Sequence, residues 1–523
     1  MKFFASRAGK ITAVVVGIPT LGAGGLGTYV RYRQYTKPAR HVFKSLVDQK
    51  GNLILEGKGI LCPSTFSIFC RIVYISVIFV PLAVLYMLMS LRESWYRVWL
   101  NLLLQGVQRC GPVFVKIGQW ACTREDLFSR DFRQVFKRLY NEVDVHSFSE
   151  TFRILKEELG TDPSDVFDFI DEKTLGSGSI GQVHLAKLKN KDTRVVVKVM
   201  HPNIMETIVR DFVILNHIAV LMHRYLSFLE HYNTPALAHN FANHLAAQLD
   251  FRIEAENLLQ FRANFRRERY VEFPEPLLFT RQILVETFCD GVPADPDFMA
   301  SLPSHARDVL AGKGLNTWCK MLLRDNFIHG DMHPGNILIQ CKDYHEPSIT
   351  LIDVGLCQQL TEHEAALSEK LIEAFVRWNS DLCAVNIWNM SDRQEYASCD
   401  RFKADINQVF KQCRSFRNEG GAITKTLQYV FDAIRSNCVQ MDPPYVSLLF
   451  SVLVLESFLM SLNPDFNIVR HTAPWLVSEG HISKGIFKNL VKTQRDRVKR
   501  GYGIFTGRLG DMLGFSIVAD PRT

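Results

Sequence analysis

Two neighbouring segments restrict the fold of this chain more than anything else in it: Phe327-Ile328-His329-Gly330-Asp331-Met332-His333-Pro334-Gly335-Asn336-Ile337-Leu338, then Leu351-Ile352-Asp353-Val354-Gly355. They contain a His-x-Asp, an Asn five residues after the Asp, and an Asp-x-Gly that begins seventeen residues after the Asn. This order supplies one candidate base, Asp331, and two oxygen ligands for magnesium, Asn336 and Asp353, around a single nucleotide. On this spacing the chain is built around a phosphoryl-transfer site.

Upstream, Leu175-Gly176-Ser177-Gly178-Ser179-Ile180-Gly181-Gln182-Val183-His184-Leu185-Ala186 holds a Gly-x-Gly-x-x-Gly-x-Val pattern. Alone it fits a dinucleotide turn opening a helix or a hairpin lid over ATP phosphates. The alternating residues 183–187 favour the hairpin, because alternation marks a strand. Arg194-Val195-Val196-Val197-Lys198-Val199 reads as the next strand, with Lys198 seventeen residues after Gly181. Gly176, Gly178 and Gly181 are then candidate nucleotide contacts and Lys198 the candidate phosphate ligand. Two long helices are expected over 203–230 and 235–265. The second carries Asp250 and Glu254, four apart on one face. That spacing suits a Glu254 reaching back to Lys198 while Asp250 points at the same cleft. An acid on a helix is ordinarily a solvated charge, and only the need of Lys198 for an ionic partner favours Glu254 here. A strand over 282–287 leads into Phe288-Cys289-Asp290-Gly291-Val292-Pro293, the expected hinge, and a helix over 309–325 leads to the Asp331 motif. Helical periodicity resumes near 361 and continues to about 494; the apolar run 445–462 contains Glu456 and reads as a core helix.

The N-terminus is acid-free and basic: Lys2, Arg7, Lys10, Arg31, Arg33, Lys37, Arg40 and Lys44 all precede Asp48. Such a leader suits mitochondrial targeting, although the uncharged run 11–30 also resembles a secretory signal core. The run 72–91, between Arg71 and Arg92-Glu93, is uncharged and long enough to cross a hydrocarbon core, with Tyr74 and Trp95 near its ends. The alternative for it is a buried soluble helix. Apolar spacing over 95–140 indicates helix, and Lys116 and Gln119 within it share a face. That pair alone is more often surface than site.

The net charge of +7 is spread over 523 residues, and clusters such as Arg266-Arg267-Glu268-Arg269 and Arg495-Asp496-Arg497-Val498-Lys499-Arg500 carry interleaved acids. They read as solvated faces, and nucleic acid is not an expected partner. The twelve cysteines show no C-x-x-C pair and no zinc-ligand spacing, which points to reduced thiols.

Assembled, the parts follow the protein-kinase-like plan: Lys198 steadied by Glu254 meets the phosphates, Asn336 and Asp353 hold magnesium, and Asp331 takes the acceptor proton or organises metal and water. Gly330 stands where protein kinases usually carry an Arg that anchors the activation loop, and only a few residues separate Gly355 from the next helix, without an Ala-Pro-Glu segment. With that platform missing, a small molecule, a lipid or water is a better acceptor than a peptide.

On these residues, and on Lys116-Ile117-Gly118-Gln119, the chain resembles the UbiB family of atypical kinases, also called aarF-domain-containing or ADCK proteins, from about residue 102 to 465. Lys116 to Gln119 match its KxGQ motif, and the surrounding Gly-Pro-Val-Phe-Val-Lys-Ile-Gly-Gln-Trp with the nearby apolar span looks most like the second animal paralogue, which is mitochondrial. The resemblance implies an α+β, protein-kinase-like two-lobe fold with a helical KxGQ N-terminal extension and a preceding transmembrane helix. The expected division is a leader over 1–45, a linker and membrane segment over 46–95, the KxGQ extension over 96–165, an N-lobe with inserted helices over 166–292, and a mainly helical C-lobe over 293–523. It further implies ATP and Mg2+ as cofactors, Lys116 and Gln119 as a gating pair over the cleft, and support of coenzyme Q biosynthesis at the inner mitochondrial membrane through a single-pass anchor. Membrane lipids, quinone precursors and coenzyme Q biosynthetic proteins are the implied partners, and self-association stays open.

Two departures stand against the family pattern. Gly176-Ser177-Gly178-Ser179 replaces an alanine-rich loop, and Gln248-Leu249-Asp250 replaces a Glu-x-Asp motif, which leaves Asp250 as the one carboxylate there for the metal. Fewer anionic ligands weaken metal binding. An ATPase or small-molecule kinase, a nucleotide-binding pseudokinase scaffold, and a choline- or aminoglycoside-type phosphotransferase are the competing expectations.

Overall fold

The computed structural model describes residues 46–478 apart from 48–52, 56–58, 62, 90–91, 124–128, 141–144, 190–192, 226–233, 333, 342–344, 395–396 and 417–418. The expected leader, His333, and the helix expected to continue to 494 beyond Ser478 lie outside the described residues.

A short antiparallel hairpin, β1 (Leu53–Leu55) with β2 (Gly59–Leu61), precedes α1 (Thr65–Met89). This helix of 25 residues is long and apolar enough to cross a membrane. It starts upstream of the uncharged run because Arg71 is satisfied by protein rather than water: its Nε and Nη2 each donate to Asp211 at 2.7 Å. The helix α2 (Glu93–Cys110) runs back along α1, with Trp99 Nε1 donating to the Leu82 carbonyl at 2.7 Å and Tyr74 Oη to the Arg109 carbonyl at 3.1 Å. On the opposite side Phe69, Val73, Val77, Val80, Val84 and Met87 form an exposed apolar stripe at helical spacing.

The helix expected over 95–140 is broken. Gly111 (φ +88°) ends α2, and Pro112 opens α3 (Pro112–Thr123), as its missing N–H and fixed φ allow at a first helical position. Ser129 then caps α4 (Arg130–Phe136), and a 3-10 turn follows at Lys137–Tyr140.

Next come α5 (Phe148–Leu159) and an antiparallel sheet of five strands: β3 (Phe167–Ser177), β4 (Gly181–Leu188), β5 (Arg194–Met200), β8 (Ile283–Thr287) and β7 (Pro276–Phe279), in that spatial order. Alternation gives this sheet two different faces. On one, Ala186, Val195, Val197, Val199, Ile283 and Val285 pack with Ile154, Leu155 and Leu159 of α5 into a separate core. Each of the Val, Ile and Leu side chains contributes about 1.5–3 kcal/mol by burial. The register Val183↔Lys198↔Leu284 and Leu185↔Val196↔Glu286 puts Lys198 and Glu286 together on the other face.

Between β5 and β7 lie α6 (Ile204–Tyr225), α7 (Thr234–Ala247) and α8 (Phe251–Asn264). The second expected helix is therefore two, because Asp250 adopts extended backbone and its side chain accepts from the Arg252 N–H, capping a new helix.

After the hinge, β9 (Val292–Pro293) joins a second sheet in the order β6 (Val271–Glu272), β12 (Ser348–Leu351), β11 (Ile337–Gln340), β9. A two-residue ladder of β10 (Ile328–His329) and β13 (Cys357–Gln358) brackets the Asp331 and Asp353 loops. The helices α9 (Pro296–Ser301), α10 (Ser304–Cys319), α11 (Glu362–Arg377), α12 (Ser380–Trp388), α13 (Cys399–Gln412), α14 (Ala422–Ser436), α15 (Pro443–Leu462) and α16 (Ile468–Ser478) complete this lobe. Leu448, Leu455, Phe458, Leu459 and Leu462 of α15 are buried in its core. Glu456 in that apolar run accepts from the backbone N–H groups of Ile423 and Thr424, capping α14, whose own N-cap is Gly421.

Candidate nucleotide site

The glycine-rich turn joins β3 to β4. The Gly178 N–H donates to the Gly181 carbonyl at 2.9 Å. At Gly181 a Cβ would lie 2.5 Å from the Val199 carbonyl oxygen, a backbone atom, so β4 can approach β5 there only without a side chain. The turn is tethered from behind. His201 Nε2 donates to the Gly178 carbonyl at 2.9 Å, which makes its Nδ1 the acceptor for His146 Nδ1 at 2.7 Å. His146 Nε2 then accepts from Thr151 Oγ1 at 2.9 Å, and Gln182 and His184 complete the network on the α5 face. Burial, then the neighbouring His201 and His184, lower the pKa of His146 to about 4.

Lys198, projecting from β5, donates to Glu254 Oε1 at 2.6 Å and lies 3.2 Å from Glu286 Oε1. Burial opposes its charge, but the carboxylates of Glu254, Glu286 and Asp353 outweigh that and raise its pKa. Burial pushes Glu254 up by more than Lys198 pulls it down, with Asp353 and Glu286 adding to the rise. Helix α8 positions this pair: three residues after Glu254, Asn257 Nδ2 donates to the Val354 carbonyl at 2.9 Å and so ties the helix to the Asp353 loop.

Asp353 sits in the left-handed region (φ +59°), which Asp tolerates better than most residues and which strained functional turns use. A Cβ on Gly355 would lie 3.4 Å from Asp353 Oδ1 and 3.8 Å from both Gln248 Cγ and Glu254 Oε2, so these side chains gather around one point. Asn336 Nδ2 donates to the Asp331 carbonyl at 2.9 Å, which leaves its amide oxygen as the acceptor, and the Ile352 N–H donates to the Asn336 carbonyl at 3.0 Å. Asp331 is oriented through its own N–H, which donates to His329 Nδ1 at 3.1 Å. Oxygen donors from a neutral amide and a carboxylate, beside an excess of buried negative charge, fit magnesium; Asn336 and Asp353 are the residues that would hold it.

The structure thus brings together Lys198, Glu254 and Asp353, and ties Asn336 to the Asp331 loop. Two further candidates make contacts of their own. Asp250 caps α8, and its carboxylate accepts from Arg252 at 2.8 Å and 2.5 Å, with Arg281 at 3.9 Å. Gln119 donates to the Leu139 carbonyl at 3.0 Å, and a Cβ on its neighbour Gly118 would lie 2.4 Å from Leu139 Cδ1. The Gly-Gln of Lys116-Ile117-Gly118-Gln119 therefore seats the Lys137–Tyr140 turn against α3, which in turn contacts α6. The sequence reading missed Glu286; its signal was an acid inside the apolar strand Ile283-Leu284-Val285-Glu286-Thr287.

Residues 138–386 match the ABC1 atypical kinase-like domain. The chain is 25% identical to the "Probable serine/threonine-protein kinase abkC" of Dictyostelium discoideum, over 84% of this chain and 70% of that protein. It is 26% identical to a mitochondrial ABC1 family protein of Saccharomyces cerevisiae, over 78% of this chain and 74% of that one. To the "Probable protein kinase UbiB" of Shewanella loihica it is 27% identical, over 71% and 68%. The chain carries an ABC1 atypical kinase-like domain, and its homologues are UbiB and ABC1 family proteins, mitochondrial yeast ones among them.

Proposed function

We propose that this protein is a membrane-associated, magnesium-dependent ATPase or small-molecule kinase of mitochondria that supports coenzyme Q biosynthesis. The observation that carries the catalytic part is the buried Lys198–Glu254 pair at 2.6 Å with Asp353 beside it, tied to the same helix through Asn257. A cation held by two carboxylates and facing a third is arranged to meet phosphate oxygens rather than to stabilise a core, because a buried ion pair adds little net stability. Lys198 would bind phosphate, Asp331 would take the proton of the attacking hydroxyl or water, and the glycine turn would close over the phosphates. Magnesium held by Asn336 and Asp353 would offset the charge that develops on the transferred phosphoryl group. The mitochondrial relatives, the basic composition of residues 2–44 and α1 support the location; the UbiB relatives support the metabolic role.

Full-length protein in liposomes should hydrolyse Mg-ATP, and Asp353→Asn should lower turnover by at least about a hundredfold, the scale on which removing one transition-state charge partner acts. Equal turnover by the variant would refute the enzymatic reading. A pseudokinase scaffold is the second reading, favoured by Gln248 at Gly355 where a carboxylate would strengthen the metal site, and by the engagement of Asp250 with Arg252. Rescue of a gene deletion by Asp331→Asn and Asp353→Asn would support it.

A further inference from the structure

Glu286 is used by no step above, yet it is built into the cleft. It sits near the end of β8, on the same sheet face as Lys198 and two residues before the hinge that begins at Phe288. Its side chain is 4% exposed. One oxygen, Oε1, lies 3.2 Å from Lys198, while Oε2 is buried with no hydrogen-bond partner. A buried acceptor without a partner loses about 1–3 kcal/mol of hydration, and more when it is charged, so a native one calls for a donor. Val196, Leu185, Leu284 and Pro276, its neighbours on that face, offer none.

A nucleotide whose phosphates meet Lys198 would lay its base between that lysine and the hinge, along this face of the sheet. The one N–H donor on adenine's outer edge is its exocyclic 6-amine, whereas guanine and hypoxanthine carry their donors, the ring N1–H and in guanine the 2-amine, further round the ring. Adenine presents a 6-amino group, whereas guanine presents at that position a carbonyl oxygen, which a carboxylate repels. We infer that Glu286 is a specificity-determining residue of the nucleotide site, accepting from the exocyclic amine of a 6-aminopurine and rejecting 6-oxopurines. This rests on the nucleotide-binding reading above and names the residue that chooses the base. A site built around such a hydrogen bond discriminates strongly, because the wrong ligand leaves the buried group unpaired.

The test is the affinity of the full-length protein for Mg-ATP and Mg-GTP, measured by competition against a fluorescent ATP analogue in detergent micelles. Wild type should prefer ATP by about tenfold or more. In Glu286→Gln, whose amide can donate to a 6-oxo group, the preference should shrink to within about threefold, mainly through tighter GTP binding. A ratio unchanged by Glu286→Gln, or a wild-type preference for GTP, would overturn the inference while leaving nucleotide binding intact. Should the variant fail to fold, wild type answers the question with inosine triphosphate, which differs from ATP in carrying an oxygen for the amine: weaker binding supports the role and equal binding overturns it. Absence of binding by every nucleotide would overturn the functional reading itself, and this inference with it.

Discussion

Replacing Lys198 by Met tests the charge arrangement of the site most directly. One cation lies among three carboxylates here: Glu254 at 2.6 Å, Glu286 at 3.2 Å, and Asp353 close enough to act on both Lys198 and Glu254. The side chains of Lys198, Glu254 and Glu286 are 12%, 6% and 4% exposed, so water screens them little. Lys198→Met leaves the acids facing one another, and breaking a buried pair in this way costs about 3–5 kcal/mol. Glu254→Gln is different, because Lys198 keeps Glu286 and one like-charge repulsion disappears; its stability should stay within about 1 kcal/mol of wild type even as nucleotide turnover falls. Urea unfolding of the full-length protein in micelles, followed by tryptophan fluorescence at pH 8 and pH 6, measures both. The sign with pH follows from the raised carboxylates. In Lys198→Met the folded chain holds protons on Glu254 and Glu286 above the pH at which the unfolded chain releases them, so stability is recovered as pH falls and lost as it rises. Equal losses for the two variants, or a Lys198→Met loss that is the same at both pH values, would refute the reasoning.

Other outcomes are equally specific. Gly118→Ala forces a Cβ to within 2.4 Å of Leu139 Cδ1 and should destabilise the chain by about 1–3 kcal/mol, seen as a lower urea midpoint; an unchanged midpoint would show that the Lys137–Tyr140 turn yields freely. Glu456→Leu strips the cap from α14 and should cost about 1–3 kcal/mol despite adding apolar surface, because it orphans the Ile423 and Thr424 N–H groups; a stabilised variant would contradict this. Because His146 is held neutral, with its pKa lowered to about 4, stability should be complete above the ordinary histidine range near pH 6.5 and decline as pH falls toward 4. After allowance for solvent screening the loss is about 1 kcal/mol, and His146→Gln should flatten that part of the thermal-melting profile against pH.

Legible in the sequence were the parts whose chemistry is local. The spacing from Asp331 to Asn336 to Asp353, the glycine turn with its strand rather than helix after Gly181, and Lys198 on a Val-rich strand all depend on residues a few positions apart, where period and turn chemistry are legible. Tertiary structure decided what depends on partners distant in the chain. Arg71 reads as the flank of an apolar span until Asp211, 140 residues away, is seen to hold it. That Asp250 also caps α8 and meets Arg252, and that Gln119 donates to the Leu139 carbonyl, could be seen only once those elements were packed. Glu286 shows the difference best. An acid in an apolar strand is only an anomaly in the sequence, and it becomes a partner of Lys198 because pairing of β5 with β8 fixes which face it shares; a register shifted by one residue would have turned it into the apolar core under α5.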